Sequence, residues 1–536
     1  MHIKDFFKFT PPENKEEFKL SPTAPSHAEK ADKKIGPDLK ENLSYLDALF
    51  SREKSYDIML RSFEIKLGRG KTDAFIYFID GMVNGQSVND GILMPLMVES
   101  EKLKKKDWSD VEKVLLTQNQ VKKTDSMAEA ANAVCYGSCA LFMDGYPGAL
   151  LVEVIGWEQR GVEEPENEPA VFGPHIAFNE SIKTNTSTVR KMIRSPHLII
   201  DTVMLGDASK TNCALLYMDD IANPSLVGEV RRRISGIAVD HIMSSSCLEQ
   251  FIEEKSLISL PQVLSTERPD RCVKALMQGR VALILDNSPF ALIMPTTVFE
   301  LLESAEDTYL RPAYSLLVKT VRLFAVFLSI YLPGIYIAAL TYHTTVFPTG
   351  MLTTIMKASR KVPFNSITEL IIMVVAFEIV REASSRVPGL LGSGLGIIGP
   401  LVLGQAAISA NIVSPVMIIV FSIATIGSFA TPNFSMAFSG RVLNIIFIVL
   451  GSVAGFLGIA FGIFIQMMLW HTTRSFGVNM ISPFAPFMEM VPESVRTEPI
   501  WKKENRPMYL KTKRPKEQAH ISRKWKKEAP YEDKKD

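Results

Sequence analysis

Hydrophobic and polar residues are distributed very differently in the two halves of this 536-residue chain. Between Leu323 and Trp470 only nine side chains are charged, and Ile, Val, Leu, Phe, Ala and Gly dominate the rest. About 20 consecutive apolar residues in a helix are enough to cross the hydrocarbon core of a bilayer. Four stretches reach that length: 323–342, 366–386, 412–431 and 442–470. The pattern therefore predicts a polytopic α-helical transmembrane domain over residues 313–490.

A further apolar tract, residues 394–410, lies between the second and third predicted spans. It contains several glycines and is interrupted at Gly399-Pro400, which is typical of a short re-entrant or broken helix. The soluble half and the basic tail share one side of the membrane only if the number of crossings is even. Four spans and one re-entrant segment satisfy that condition. The basic residues at 357–361 then lie in an outer loop, against the positive-inside trend.

The first half of the chain alternates short apolar runs with amphipathic stretches, which predicts an α/β fold. Amphipathic helices are predicted at 223–234 and 244–254. Turn residues at Asp144-Gly145 and at 286–289 predict that the strands on either side pair as hairpins. Five runs have the length and composition of strands: 74–79, 140–143, 149–154, 213–218 and 281–285.

The size of the α/β region suggests two subdomains, 43–165 and 166–312. Their junction is placed at the acidic, Pro-containing stretch 161–168. Residues 1–42 are rich in Lys, Glu, Pro and Ser and are predicted to be disordered, because such a composition buries too little apolar surface to fold.

The tail, residues 491–536, is basic, with eleven Lys or Arg between positions 502 and 527. Both the positive-inside trend and attraction to anionic membrane lipid favour the cytosolic side for such a cluster. A tail that is merely solvated would lie in the same compartment. The N-terminus lacks the apolar run of a signal peptide, so the soluble half is also expected in the cytosol.

Charge, cysteines and motifs exclude several classes of function. The net charge is +1 and no stretch interleaves basic with aromatic residues, so no nucleic-acid partner is expected. The five cysteines are an odd number in a reducing compartment and are interpreted as free, buried residues. The stretch 68–72, Gly-Arg-Gly-Lys-Thr, resembles a phosphate-binding loop but has Ile65 where that motif needs glycine. No catalytic residue, cofactor site or metal site is predicted.

The second predicted span contains the acidic residues Glu369 and Glu378 well before its end. Nine residues separate them, so they face opposite sides of a helix and cannot form a catalytic pair. Glu369 is expected to reach the interface, whereas Glu378 lies deeper, where an ionised group is costly unless it faces protein or water. Two roles stay open for Glu378: lining or gating an ion path, or a structural ion pair with Arg381 one turn along the helix.

Polar residues near the broken segment are equally ambiguous. Gln405, Ser409 and Asn411 either line a hydrated path or form hydrogen bonds between helices. In the last predicted span, glycines recur at helical spacing and would form a strip that lets another backbone approach closely. Whether that strip contacts a helix of the same chain or of a neighbouring copy stays open. The strip consists of Gly451, Gly455, Gly458 and Gly462.

Several phrases, in order along residues 43–490, resemble one family, the A subunits of GerA-type spore germinant receptors. In the soluble half they include Phe-Asn-Glu-Ser-Ile-Lys-Thr-Asn at 178–185 and Pro-Gln-Val-Leu-Ser-Thr-Glu-Arg-Pro-Asp at 261–270. In the apolar half they include Phe377-Glu378, Gly-Gln-Ala-Ala at 404–407 and Val-Ser-Pro at 413–415. The ordered set carries the resemblance, since no single phrase is diagnostic.

The resemblance implies a multi-pass protein of the spore inner membrane. It implies partnership with a permease-like B subunit and a lipoprotein C subunit, and a role in turning nutrient detection into ion release. Proteins similar to these are thought to form ring-shaped homo-oligomers with a cation channel. Two alternatives remain from the residues themselves: a secondary transporter, which would need related repeats with corresponding broken helices, and a membrane scaffold without its own conductance.

Overall fold

The computed structural model describes residues 18–23, 33–67, 70–100, 111–118, 120–156, 164–256, 258–385, 399, 402–488 and 498–518. Most of the segment predicted to be disordered, 1–42, lies outside these ranges. Helix α1 begins at Leu39, ahead of the domain boundary predicted at 43.

The soluble region consists of ten strands and eight α-helices within the described residues. The helices are α1 (Leu39–Phe50), α2 (Gly85–Val88), α3 (Met127–Tyr136), α4 (Ile182–Met192), α5 (Pro224–Ser235), α6 (Ser245–Ile252), α7 (Pro269–Met277) and α8 (Val298–Leu301). The strands are β1 (Ile58–Leu67), β2 (Gly70–Ile79), β3 (Val121–Thr124), β4 (Ser138–Met143), β5 (Ala149–Glu153), β6 (Leu198–Leu205), β7 (Thr211–Met218), β8 (Leu264–Thr266), β9 (Val281–Leu285) and β10 (Ala291–Met294).

The strands form two five-stranded antiparallel sheets with the same order. The first sheet has the order β1-β2-β4-β5-β3 and the second has the order β6-β7-β9-β10-β8. In each sheet the strand that comes third along the chain, β3 or β8, therefore lies at an edge. The predicted α/β class is therefore confirmed, as a region with two sheets and helices, while the boundary between two subdomains stays a prediction. The predicted hairpins are also confirmed, since β4 pairs with β5 and β9 pairs with β10.

Helices cover both faces of the second sheet, which explains its uninterrupted apolar runs. In β9 all five residues are buried. Ala282 and Ile284 face one core together with residues of α4 and α7, and the alternating residues Val281, Leu283 and Leu285 face the other core with α5 and α6. A strand buried on both faces shows no polar alternation, so its sequence is a continuous hydrophobic run.

The C-terminal part is helical, as predicted. Two of its helices, α9 and α14, are long and apolar enough to cross a membrane by length and composition, whereas α13 is apolar but has 15 residues. The four predicted spans thus stay a prediction. The helices are α9 (Pro312–Tyr342), α10 (Thr349–Ser359), α11 (Ser366–Ser385), α12 (402–409), α13 (Pro415–Phe429) and α14 (Phe434–Thr472).

Helix α14 is broken in its middle, at Gly455. The backbone there has φ 59° and ψ −143°, a conformation outside the helical region that is open mainly to glycine. Gly462 packs against Phe447, since a Cβ added to Gly462 would be 2.8 Å from the Phe447 ring. In a straight helix these residues would be about 22 Å apart. Helix α14 is therefore an antiparallel hairpin of two arms, arm 1 (434–454) and arm 2 (456–472).

This hairpin corrects the prediction of one continuous last span at 442–470. Arm 1 is about 31 Å long and arm 2 about 26 Å, each close to the ~30 Å thickness of a hydrocarbon core. At the start of arm 1, Ser439 Oγ lies 3.2 Å from Ser259 Oγ of the soluble region. At the end of arm 2, the Thr472 carbonyl accepts a 2.8 Å hydrogen bond from Lys255 Nζ. Both ends of the hairpin therefore lie at the soluble region.

Helices α11 and α13 run in the same direction, toward the soluble region. The ends of these helices that lie farther from the soluble region are joined by a hydrogen bond. There, Ser414 Oγ at the start of α13 donates to Glu369 near the start of α11, at 3.1 Å. At the other end of α13, Gly427 packs against Ala325 in the first half of α9, where a Cβ added to Gly427 would lie 2.6 Å from the Ala325 carbonyl oxygen. The chain between α11 and α13 therefore starts and ends at opposite ends of the bundle.

This direction corrects the predicted re-entrant segment at 394–410. A re-entrant segment returns to the end at which it started, whereas this connection joins two helices that run the same way. Within it, residues 402–409 form α12, and residues 394–398, 400 and 401 lie outside the described part of the chain. The error has a physical cause: Gly and Pro mark a break in a helix but not the direction of the chain after it.

Candidate functional site

Glu378 lies near the end of α11 that approaches the soluble region. Its carboxylate accepts a 2.8 Å hydrogen bond from Arg381 Nη1 and remains 45% exposed, while Arg381 is 19% exposed. The ion pair that sequence analysis offered as one alternative is therefore formed. The other alternative also survives, because nearly half of the Glu378 side chain is still open to a neighbouring copy or to a hydrated path.

Glu369, at the other end of α11, is completely buried within the protein. Its Oε2 accepts from Ser414 Oγ at 3.1 Å, and Oε1 has no hydrogen-bond partner among the described residues. The surrounding cluster is apolar and includes Tyr336, Leu370 and Met417. The sequence singled out Glu369 as a polar residue in an apolar span but did not indicate its pairing with Ser414. Forty-five residues separate Glu369 from Ser414, so no local pattern could have paired them.

The three candidate polar residues near α12 do not contact Glu378 in the described structure. Gln405, Ser409 and Asn411 are exposed in the single chain. The Ser409 hydroxyl donates to the Gln405 carbonyl at 2.9 Å, and Asn411 has a positive φ of 51° just after the helix. Their side chains remain candidates for a path or an interface between copies.

The four candidate glycines are buried within one chain, but they do not form a straight strip. Gly455 makes the turn of the hairpin, which is why the predicted strip on one helix face is wrong. A Cβ on Gly451 would overlap the Gly334 carbonyl of α9, and a Cβ on Gly458 would overlap the Leu450 carbonyl of arm 1. These glycines thus allow close contacts between α9 and the two arms.

Arg441 in arm 1 is a residue that sequence analysis missed. Its guanidinium stacks over the Phe438 ring at 4.6 Å, and its Nε is buried without a hydrogen-bond acceptor. The sequence did carry a signal, because Arg441 is the one charged residue between Arg386 and Trp470. A lone arginine in a long apolar stretch is a functional candidate on energetic grounds.

The segment after α14 returns to the soluble region and packs on the second sheet. Tyr509 and Leu510 are buried in its core together with Leu20. Asn223 Nδ2 donates to the carbonyl of Lys511 at 3.0 Å and to that of Ser21 at 2.9 Å, which ties both ends of the chain to the start of α5. We call residues 505–514 the strap.

The strap is anchored by a buried polar triad. The Tyr509 hydroxyl donates to Glu300, which also binds Arg280, and Arg280 Nη2 lies 3.0 Å from Tyr509 Oη. Burial, reinforced by the Glu300 carboxylate, raises the pKa of Tyr509, so the hydroxyl keeps the proton it donates. Part of the predicted basic tail is thus held by the soluble region, and residues 519–536 lie outside the described part of the chain.

Replacing Tyr509 with phenylalanine is expected to loosen the strap. The change removes one hydrogen bond to a carboxylate, which is worth about 1–2 kcal/mol in a buried site. Limited trypsin digestion of the full chain should then cleave within 505–514 about tenfold faster. Tyr314→Phe, at an exposed position of α9, is the control. Equal cleavage rates in both variants would show that the triad does not anchor the strap.

The described residues offer little for catalysis. They contain no group of three or more His, Cys, Asp or Glu that could hold a metal ion. Burial raises the pKa of Cys135, Cys213 and Cys272 to about 12, so these thiols stay protonated and unreactive. Gly68 and Arg69 lie outside the described residues, but β1 and β2 on either side pair as an antiparallel hairpin, whereas a phosphate loop connects a strand to a helix.

Comparison with known proteins agrees with the predicted resemblance. The family model described as Bacillus/Clostridium GerA spore germination protein matches residues 44–509. Spore germination protein KA of Bacillus subtilis (strain 168) is 34% identical over 475 residues, which cover 88% of this chain and 87% of that protein. Spore germination protein B1 of the same organism is 33% identical over 449 residues, covering 84% and 92%.

Two further similarities extend to another species and to a solved structure. Spore germination protein GerLA of Bacillus cereus is 30% identical over 467 residues, which cover 86% of this chain and 94% of that protein. The crystal structure of the N-terminal domain of the A subunit of the Bacillus megaterium spore germinant receptor GerK3 is 28% identical, covers 49% of this chain and 97% of that domain, and has a TM-score of 0.37. The extent of the family match and the identity to full-length relatives lead to one conclusion: this chain belongs to the GerA spore germination protein family.

Proposed function

We propose that this chain is the membrane subunit of a germinant receptor, that it transduces nutrient detection into ion release, and that it does so within an oligomeric cation channel. Family membership supports the role in germination. The permease-like B subunit and the lipoprotein C subunit are the proposed partners, and the spore inner membrane is the proposed location. The chain itself supplies a soluble region, a helical region and physical links between them.

The observation that carries the transduction role is the set of hydrogen bonds between the helical hairpin and the loop that joins α6 to β8 in the soluble region. Lys255 holds the end of arm 2 and Ser259 contacts the start of arm 1. Just beyond arm 2, Ser475 Oγ donates to the Gln262 carbonyl at 2.5 Å. Because one short stretch of the soluble region, 255–262, holds both arms, a displacement of that stretch moves the hairpin as a unit.

A second link joins the soluble region to the first long helix. Arg322 near the start of α9 pairs with Asp307 at 2.5 Å, and its Nη1 donates to the Leu302 carbonyl at 3.0 Å. Asp307 and Arg322 are 4% and 12% exposed, so this ion pair is shielded from solvent. Helix α9 packs against arm 1, α13 and α11, so it couples the soluble region to the rest of the bundle.

The directions of the helices support a topology with six traverses. They are α9, α11, the connection to α13, α13, arm 1 and arm 2. Six is an even number, so the soluble region and the strap lie on one side, proposed here to be the cytosol. The basic residues at 357–361 remain at the opposite end, as in the predicted topology.

The candidate ion path includes the exposed carboxylate of Glu378. In a ring of identical copies, one such group from each chain would form an acidic ring that attracts cations. Gln405, Ser409 and Asn411 are further candidates, since they are exposed polar groups in an otherwise apolar part of the chain.

Two variants separate an ion path from a structural ion pair. Glu378→Ala and Arg381→Ala both break the 2.8 Å ion pair, but only the first removes the carboxylate. If Glu378 lines the path, cation efflux from germinating spores should fall at least severalfold in Glu378→Ala and be retained in Arg381→Ala, at equal protein levels. Equal effects of the two variants, or unchanged efflux in Glu378→Ala, would count against pore lining.

The alternatives give different results with purified protein in lipid. A scaffold would show no conductance, whereas a secondary transporter would show saturable counterflow of substrate instead of channel currents. Within the described residues one long helix, α14, is broken, at Gly455, and the described part of α11 and α13 has no break in a corresponding position. A transporter built from related repeats would place such breaks in corresponding positions.

A further inference from the structure

Two arginines share a cleft at the end of the helix bundle that adjoins the soluble region. The cleft lies between α9, α11, α13 and arm 1, and we call it the arginine cleft. Val326 of α9 lines it, about one helical turn beyond Arg322, which pairs with Asp307 of the soluble region. In the membrane placement given under Proposed function, this end of the bundle faces the leaflet on the side of the soluble region. Its lining includes Glu378, Arg381, Thr425, Ser428, Arg441 and Asn444.

The cleft has an excess of positive charge. Arg381 is neutralised by Glu378 at 2.8 Å. Arg441 forms no ion pair with any residue that the structure describes, and its buried Nε has no acceptor. An unpaired guanidinium in an apolar surrounding is costly, and an anionic ligand would remove that cost.

Most of the other polar groups of the cleft have already used their donors. The Thr425 hydroxyl donates to the Phe421 carbonyl at 2.9 Å, and the Ser428 hydroxyl donates to the Thr425 carbonyl at 2.6 Å. Asn444 Nδ2 donates to the Ser329 carbonyl at 2.6 Å. Free donors therefore remain mainly on the arginines, which bind planar carboxylate or phosphate oxygens best. The ligand has to be an anion with several acceptor oxygens.

The surface next to the cleft is apolar and exposed. It therefore favours a ligand whose anionic group is attached to an apolar part. Four large side chains of α13 and arm 1 form this surface. A water-soluble anion would leave it uncovered, whereas acyl chains would cover it. The four residues are Phe429 (68% exposed), Phe434 (67%), Phe438 (48%) and Ile445 (47%).

We infer that the arginine cleft binds the headgroup phosphate of an anionic phospholipid in the leaflet next to the soluble region, with Arg441 as its main contact. Basic pockets between membrane helices on that side are suited to anionic headgroups. The inference depends on the membrane placement given under Proposed function but not on ion conduction. The occupied cleft would bridge α11, α13 and arm 1 through one ligand.

Lipid retention by the full chain tests this inference. The purified, delipidated protein in neutral detergent is titrated with phosphatidylglycerol, and bound lipid is counted by native mass spectrometry. Arg441→Gln is expected to raise the apparent Kd for the tightest phosphatidylglycerol at least tenfold. Arg441→Lys keeps the charge but cannot form bidentate hydrogen bonds to a phosphate, so a severalfold increase in the Kd is expected. Arg360→Gln, the same change at an exposed position after α10, should leave the Kd within twofold of the original.

Two further measurements identify the ligand and check the fold. Phosphatidylcholine should bind all variants equally, and millimolar inorganic phosphate should not displace phosphatidylglycerol. Displacement by phosphate would assign the cleft to a soluble anion, and unchanged phosphatidylglycerol binding in Arg441→Gln would refute the site altogether. If Arg441→Gln does not fold, as judged by its thermal unfolding in detergent, Arg381→Gln replaces it with a severalfold loss expected. Lipid binding and cation efflux are separate readouts, so either proposal can fail without the other.

Discussion

Replacing Arg190 with methionine is expected to lower the free energy of unfolding of the soluble region by about 3–5 kcal/mol. The Arg190 side chain is 1% exposed and that of Asp57 is 6% exposed, and Arg190 Nη2 lies 2.7 Å from Asp57 Oδ2. Methionine fills part of the space left by arginine but leaves the carboxylate buried without a cation. Breaking one side of a buried pair is costly for that reason.

Because of the position of this ion pair, the expected loss in the free energy of unfolding is larger than that for a single hydrogen bond. Asp57 precedes β1 of the first sheet, and Arg190 belongs to α4 of the second subdomain. Arg190 Nη1 also donates to the Leu198 carbonyl at 2.8 Å, and Ser55 Oγ accepts from the Ile200 amide at 3.2 Å. The substitution therefore weakens the contact that holds the two sheets together.

Thiol labelling in urea measures the expected loss in each subdomain separately. Cys135 reports on the first sheet and Cys213 on the second, because both are buried and become reactive only when their subdomain opens. Lys183→Met is the matched control. Lys183 and Asp80 also join the two subdomains, at 3.0 Å, but they are 56% and 35% exposed, so their loss should cost less than about 1 kcal/mol. Similar losses in both variants would contradict a structural role for the buried pair.

The sequence indicated most of the buried strands of the soluble region but not the strands at the edges of its sheets. β2, β4, β5, β7 and β9 are largely apolar because helices cover both faces of the sheets, and all five were predicted. β3, Val-Lys-Lys-Thr, has two exposed lysines and an edge position. Its register is set by pairing with β5, which a local pattern does not contain. The common strand order of the two sheets was also beyond local patterns, since it arises from long-range pairing.

In the helical region, hydrophobicity indicated which residues are helical but not where the chain turns. The turn at Gly455 lies within a 39-residue apolar helix with no change of composition around it. One polar group could have been interpreted differently: Ser414 caps α13, with Pro415 at its first turn, which is a strong helix-start signal. That signal places the start of α13 correctly but says nothing about the direction in which it runs.

The residues of the candidate site also differ in whether local sequence could predict their contacts. The Glu378–Arg381 pair could be predicted because three residues along a helix are neighbours. Glu369 meets Ser414, and Arg441 joins the cleft of Arg381, only after distant helices pack. Local sequence therefore identifies polar residues in apolar segments, while tertiary packing decides which of them act together.

Replacing Gly334 with alanine is expected to destabilise the helical region by about 1–3 kcal/mol, the usual cost of an extra atom in a tightly packed contact. Gly334 of α9 packs against arm 1 so closely that an added Cβ would lie 2.5 Å from the Phe447 carbonyl oxygen. The obstructing atom belongs to the backbone, so no side-chain rotation can relieve the overlap. The two helices would have to separate.

A neighbouring hydrogen bond shows why that separation is costly. Pro333 has no N–H, so the Ser329 carbonyl one turn earlier lacks its usual helical partner. Asn444 Nδ2 of arm 1 donates to this carbonyl at 2.6 Å. Moving arm 1 away from α9 would lengthen this bond in an apolar surrounding, where an unsatisfied carbonyl is unfavourable.

Gly440→Ala is the matched control for this prediction, because it makes the same change in arm 1 at a position with room. A Cβ on Gly440 would meet only the Ile330 side chain, at 3.8 Å. Thermal unfolding of the full chain in detergent should show a Tm lower by several degrees for Gly334→Ala, and a Tm unchanged within about 1 °C for Gly440→Ala. If the two variants have the same Tm, arm 1 does not pack on α9 at Gly334. The hairpin would then have to be replaced by a straight α14, which leaves this face of α9 uncovered.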